Sequence, residues 1–302
     1  MIELISETTD RLDKFIASKV AVSRVRVQKA IKEGKVMVDG IIILAPDYDV
    51  IVGNKITLPE FEGEELKPSE LKLKVVFEND DLAVIDKPAG MVVHPGAGNK
   101  VDTLANALIT LYPGIEKVGE PHRPGIVHRL DEDTSGLILI VKNPQAYEHY
   151  KKQFMERRVE KEYLALVHKI PAPRHDFINA ALEKVPLKQK MKVGSGKEAM
   201  TEYWVLKDGI IPGLDQVALL RVKLHTGRTH QIRAHLSHIG HPIVGDQVYG
   251  LEYRQADQMI LNRQFLHASR LKFQLMDGTW LELESQLPQN LRDILDKSGI
   301  KI

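Results

Sequence analysis

The chain has 302 residues, 43% of them hydrophobic and 27% charged, which suits one large globular domain with a smaller appendage. It has no cysteine, and this excludes disulfides, thiolate zinc sites and cysteine nucleophiles. With 42 Lys+Arg against 41 Asp+Glu the net charge is +1, so a nucleic-acid partner would have to be met by local positive potential. No apolar run is long enough to span a bilayer, and the first twenty residues carry no signal-peptide pattern. A soluble, cytoplasmic protein is the expectation.

In chain order, the first elements read as a small α/β module. Asp10 is placed to cap a helix with Leu12, Phe15 and Ile16 on one face, and Ser23 to cap a second helix from Arg24 to Glu33 that Gly34 ends. On this second helix Val27, Ala30 and Ile31 form an apolar face, while Arg24, Gln28 and Lys32 share another. Short strands are expected around Lys35–Val38 and Lys55–Leu58. Between Lys19 and Lys35 there are six basic residues and one acid, Glu33, a local balance of +5. Such a run is often only a solvated helix face, but here it sits on a short capped helix that feeds a strand. The segment Phe61–Ser69, polar with Gly and Pro, reads as a linker.

Beyond it come strands at Leu73–Phe77 and Asp81–Asp86, the loop KPAGMVVHPG, and a helix at Thr103–Leu111 with Leu104, Leu108 and Leu111 inward. GIVHRLDEDTSG leads into the apolar run LILIV. Asn143 caps and Pro144 opens a helix to about Arg158, with Ala146, Tyr150 and Phe154 inward. Strands follow at Lys161–His168 and Leu219–Leu224, then a helix at Thr229–Ile239 with Ile232, Leu236 and Ile239 inward. A hairpin turns at Asp277-Gly278. The mixture of hairpins and interspersed helices predicts α+β with a mixed, largely antiparallel sheet. The expected divisions are 1–60, a linker at 61–70, and 71–302.

Three places could carry chemistry. Asp131 lies between a strand and the turn Asp133-Thr134-Ser135-Gly136, where an acid can project into a cleft, although a lone Asp in such a place usually only caps the turn. A buried carboxylate needs basic partners to stay ionised, and the stretch LHTGRTHQIRAHLSHIGHPIVGDQVYG supplies Arg228 and Arg233. Five of the twelve histidines fall there, yet none forms H-E-x-x-H, and His230 and His235 diverge around a helix. Histidines bonding backbone or phosphate are expected, and no metal or cofactor. Tyr163, on a strand, has an apolar body able to stack on a base.

KPAGMVVHP, HRLDEDTSGL, EKEYLALV and GRTHQIRAHL with GHPIVGDQVYG resemble, in order and spacing, the successive motifs of the RluA/RluD-type pseudouridine synthases. DRLDKFIASKVAVSRVRVQKAIKEGKVMVDG resembles the S4-like RNA-binding domain that often precedes that catalytic domain. The resemblance covers nearly the whole chain and is most specific at HRLD joined to GRTHQIR. It implies that Asp131 is the catalytic aspartate, Tyr163 the active-site tyrosine and Arg233 the arginine pairing with the carboxylate. It implies too that Arg129 occupies the space left by a flipped uridine. Arg24, Arg26, Lys29, Lys32, Arg228 and His94 are the further RNA-binding candidates. The chain departs from the family at Val25, where serine is common, and at Glu132, where lysine is common and which here adds negative charge beside Asp131. The implied partner is 23S ribosomal RNA or a large-subunit precursor, with transfer RNA as the alternative, acted on by a monomer. Two other classes are a non-catalytic RNA-binding assembly factor, which has no use for an arginine-paired carboxylate, and a glycosidase or nucleosidase, which normally needs two carboxylates; Asp133 and Asp246 are weaker candidates for a second.

Overall fold

The structure, a computed structural model, describes residues 1–301 apart from 21, 23, 62–65, 97–100 and 187–189. It divides into two compact units, Met1–Leu71 with His94–Ile126, and Lys72–Val93 with Val127–Ile302.

In the first unit, strands β1 (Ile2–Ile5), β2 (Met37–Val38), β3 (Ile41–Ile42) and β4 (Lys55–Leu58) form an antiparallel sheet in the order β1-β4-β2-β3. Helices α1 (Leu12–Lys19) and α2 (Arg24–Lys32) are amphipathic. Leu12, Phe15 and Ile16 of α1 and Val27, Ala30 and Ile31 of α2 join Ile56 and Leu58 in one core, as the apolar periodicity predicts. Asp10 does not cap α1: it lies in a two-residue bridge with Val50, and the N-cap is Arg11, without a side-chain cap. The expected cap Ser23 lies outside the described residues. The first-turn acid that matters is Asp13, fully buried and bonded by Arg11, Arg24 and Gln28. Gly34 ends α2 at φ 70°, and the Lys35 amide closes the helix on Ala30 O; β2 therefore starts at Met37, not Lys35.

Helix α3 (Leu104–Leu111) starts from a capping box between Thr103 and Asn106. It buries Leu104 and Leu108 but leaves Leu111 41% exposed. Asn106 donates to Lys67 O and Thr110 to Ser69 O, and Ser69 donates to Asp102. Residues 67–69 of the expected linker are thus fastened to this helix.

The second unit is built on one sheet of nine strands: β5 (Lys74–Glu78), β6 (Leu82–Lys87), β7 (Ser135–Val141), β8 (Glu160–His168), β9 (His175–Asn179), β10 (Met200–Ile211), β11 (Asp215–Leu224), β12 (Leu266–Gln274) and β13 (Trp280–Glu284). The order is β9-β10-β11-β8-β12-β7-β6-β5, with β13 beside the far half of β12. Pairings are antiparallel except for two rungs between β7 and β12, Ser135↔His267 and Gly136↔Ala268. There a Cβ on Gly136 would stand 2.2 Å from Ala268 O, so only glycine lets the strands meet. All seven residues of β7 are buried, as expected for the run LILIV. Helix α4 (Pro144–Met155) carries its Asn143 cap bonded to the Ala146 amide. Helices α5 (Gln231–His238) and α6 (Gln289–Ser298) belong to the same unit, as do a short helix at Arg254–Gln258 and a two-stranded hairpin of Leu182–Lys184 with Met191–Val193.

The β7–β12 junction positions the site. Ala268 pairs with Gly136 on one side and with Tyr163 of β8 on the other. The loop entering β7, which holds Asp131, therefore lies two strands from Tyr163.

Candidate active site

The backbone around Asp131 is tied at every step. Asp131 O accepts the Thr134 amide at 3.1 Å. Glu132 O accepts both the Gly90 amide at 3.0 Å and Lys87 Nζ at 2.8 Å. Arg263 Nη1 donates to Asp133 O at 3.1 Å. Lys87 is 1% exposed and donates also to Pro88 O and Met91 O. Burial pushes its ammonium down to about 7, against the pull of Asp133 and Asp131, and the three carbonyls supply the acceptors that a buried ammonium needs. Lys87 thereby clamps the KPAGM loop to the turn that carries Asp131.

The Asp131 side chain enters a cleft of about 380 Å³. Its Oδ2 accepts Arg233 Nη1 at 3.1 Å. Arg233, on the first turn of α5, is 6% exposed and is itself held by Asp246, which accepts Nε at 2.7 Å and Nη2 at 2.9 Å. Asp246 is fully buried, and its Oδ1 also accepts the Val248 and Tyr249 amides. Burial disfavours the Arg233 charge, but the bonds to Asp246 and the charges of Asp246 and Asp131 more than compensate and raise its pKa. A guanidinium locked in this way offers Asp131 a fixed cation. The Tyr249 ring stands 5.3 Å from that guanidinium.

Tyr163 is 6% exposed and lines the same cleft. Burial, and then the nearby charge of Asp131, drive its phenol well above the ordinary value, so it stays protonated. His230, in the left-handed region at φ 51°, brings Nε2 to 4.0 Å from Asp131. Burial holds its imidazole below the ordinary value, although Asp131 pulls the other way. The polar density of the α5 region has a local cause: Gln231 bonds Met200 O, Thr201, Thr226 and the Arg228 amide, and His235 lies between Thr201 and Ala180 O. Helix α5 accordingly begins at Gln231, two residues later than expected. Of the expected inward residues within this helix, Ile232 lines the cleft and Leu236 is buried outside its lining.

The structure brings together Asp131, Tyr163, Arg233, Arg129 and Arg228 around one cleft. Arg129 is exposed at it, and Arg228 donates Nε to Glu198 O at 3.1 Å. His94 and the four basic residues of α2 belong to the first unit. Arg24 is not a free surface cation, since its guanidinium bonds Asp13 at 2.8 Å. Lys29 lies 3.7 Å from Glu33, and Arg26 lies over the Phe61 ring. Asp246 holds the arginine of the site rather than serving as a second cleft carboxylate. Lys87 and Lys161 were not singled out in the sequence, and His230 was weighed only as a metal ligand; the first lies in KPAG, the second two residues before Tyr163 and His230 in GRTHQ. Among the described residues no group of three or more His, Asp or Glu side chains could hold a metal ion, and no helix is long and apolar enough to cross a membrane.

The largely antiparallel α+β fold and the sequence have counterparts among known proteins. A solved human structure, RNA pseudouridylate synthase domain containing 1, superposes with a TM-score of 0.60 at 28% identity, covering 76% of this chain and 87% of its own. The model of the RNA pseudouridylate synthase family matches residues 81–238, and that of the S4 domain residues 10–56. An uncharacterized RNA pseudouridine synthase of Aquifex aeolicus is 37% identical over 94% of this chain and 92% of its own length. The ribosomal large subunit pseudouridine synthase D of Zymomonas mobilis is 35% identical over 93% and 92%. The chain belongs to the RNA pseudouridylate synthase family and carries an S4 domain at its amino-terminal end. It is an RNA pseudouridine synthase, an isomerase.

Proposed function

We propose that the chain converts uridines of large-subunit ribosomal RNA to pseudouridine with Asp131 as the catalytic carboxylate. The observation that carries this reading is the bond between Asp131 and Arg233, an arginine itself locked by the buried Asp246. The reaction breaks the bond from ribose C1′ to uracil N1 and forms one from C1′ to C5. The proton on C5 is lost and N1 gains one, so nothing is oxidised and no water is consumed. A carboxylate acting at the ribose, as nucleophile or as base, must be ionised, and Arg233 supplies a counter-charge at 3.1 Å. The base would stack on Tyr163, whose raised phenol suits a stacking and hydrogen-bonding role rather than that of a phenolate base.

A uridine in a helix or loop reaches this cleft only by leaving its stack, at a cost of a few kcal/mol. Arg129, exposed at the cleft, would fill the vacated space. Phosphate contacts that position the RNA would come from Arg26, Lys29 and Lys32 of α2, and from Arg228 and His94. The assignment to large-subunit RNA rests on the S4 domain and on relatives named ribosomal large subunit pseudouridine synthase D. Chemical mapping of pseudouridine in cells lacking the protein tests it: specific large-subunit sites should revert to uridine. Loss confined to transfer RNA would overturn the target.

A further inference from the structure

We infer that Lys161, together with Arg157 at the end of α4, forms a site for a backbone phosphodiester of the RNA next to the target nucleotide; the inference rests on the cleft being the RNA site proposed above. Lys161 stands on β8 two residues before Tyr163, and both line the cleft. The sequence flanks it with acids, but Glu160 is taken by Lys223 at 2.8 Å and Glu162 by Arg270 at 3.0 Å. Among the described residues the Lys161 ammonium has no hydrogen bond or ion pair. Its Nζ lies 5.3 Å from the Phe154 ring centroid. Phe154 stacks on His128 at 4.5 Å, and His128 Nε2 is occupied by the Leu139 amide.

A cation half-buried against rings and given no carboxylate weakens the fold, because burial alone pushes its ammonium down to about 8. Functional sites keep such groups for a partner that arrives with the ligand. In a cleft that takes RNA, the anion that arrives is the phosphodiester. Lys161 shares the cleft with Asp131 but is not paired with it: the Asp131 carboxylate meets Arg233 at 3.1 Å and His230 at 4.0 Å.

Arg157 is an independent observation. It follows the C-cap Glu156 of α4 in the left-handed region at φ 59°, a position usually given to glycine. The Arg158 amide returns to Gln153 O across it. The chain accepts that strained backbone and places there an exposed arginine that lines the cleft and whose guanidinium has no partner among the described residues.

The test uses the full chain and an RNA stem-loop that the wild-type chain modifies; that turnover checks the reading of the cleft separately. Each phosphodiester flanking the target is replaced in turn by a neutral methylphosphonate, and Kd, KM, kcat and thermal midpoint are measured for wild type, Lys161→Met and Lys161→Arg. Removing a charge-assisted contact should weaken binding about tenfold or more, with the loss falling in KM rather than kcat. One neutral linkage should cause a similar loss in wild type and none further in Lys161→Met. Lys161→Arg should recover most of the binding. The thermal midpoint of Lys161→Met should rise, since an unneutralised cation is removed. Unchanged KM and Kd in Lys161→Met, losses that multiply with every neutral linkage, or a lowered midpoint with the loss in kcat would each overturn the inference.

Discussion

Asp246→Asn probes the support of the site without touching the cleft carboxylate. Asp246 is fully buried and accepts four bonds, two from Arg233 at 2.7 and 2.9 Å and two from the Val248 and Tyr249 amides at 2.9 and 3.0 Å. Asparagine keeps one oxygen for the amides, but it turns an NH2 toward the guanidinium, donor against donor, and removes the charge. Breaking a buried ion pair from one side costs about 3–5 kcal/mol. Arg233 retains Asp131 at 3.1 Å, so the lower end, about 3 kcal/mol, is expected. At roughly 2–4 °C per kcal/mol for a unit of this size, the thermal midpoint should fall by about 6–12 °C. With its fork released, Arg233 no longer fixes Asp131, and a displacement of about 1 Å is enough for a ~100-fold loss of turnover. Circular dichroism melting and pseudouridine formation on one RNA, below the variant's midpoint, measure both quantities. A midpoint within about 2 °C of wild type together with wild-type turnover would refute the reasoning that Asp246 anchors the site.

Two further outcomes follow from other parts of the molecule. Burial, and then the charge of Lys161, hold His128 down to about 3. Its folded pKa is depressed, so the unfolded chain binds more protons below about 6.5 and stability falls as the pH drops from there toward 3. His128→Gln, which keeps an acceptor for the Leu139 amide, should flatten that acid limb by up to about 1.4 kcal/mol per pH unit, measured by urea unfolding; an unchanged slope contradicts the assignment. On α2, Lys29→Ala with Lys32→Ala should weaken RNA binding and reduce the slope of log K against log salt by up to about 0.9 per lost contact on duplex RNA sites. An unchanged slope would make that helix a solvated face.

Much of the fold was legible because single elements obeyed simple periods. The apolar faces of α1 and α2, the run LILIV and the Asn143-Pro144 start all stand where the sequence places them. Strand β10 was not legible. Its buried polar residues Thr201 and Glu202 read as solvent-facing, and much of its later half is exposed. Thr201 is inside because Gln231 and His235 of α5 bond it, and Glu202 because His175 and His225 do. These contacts between distant segments leave no local pattern. Asp10 misled for a related reason: the acid that the first unit needs is Asp13, satisfied by Arg24 and Gln28 from the next helix.

The site divides in the same way. Asp131, Tyr163 and Arg233 stood out as candidates in the sequence, with their roles implied by motif resemblance, and the structure gathers them at one cleft. The supports were hidden. Lys87 reads as an ordinary surface lysine until three backbone carbonyls converge on it. Asp246 reads as a loop acid until the chain folds it against Arg233.

The most direct test of the account is Asp131→Asn, assayed for pseudouridine formation and for RNA affinity on the same RNA. The substitution keeps the shape of the side chain and removes the charge that either role at the ribose requires. The account predicts no detectable pseudouridine at RNA concentrations that saturate the variant, with affinity close to wild type. Pseudouridine formation at near wild-type rate by the asparagine variant would contradict it.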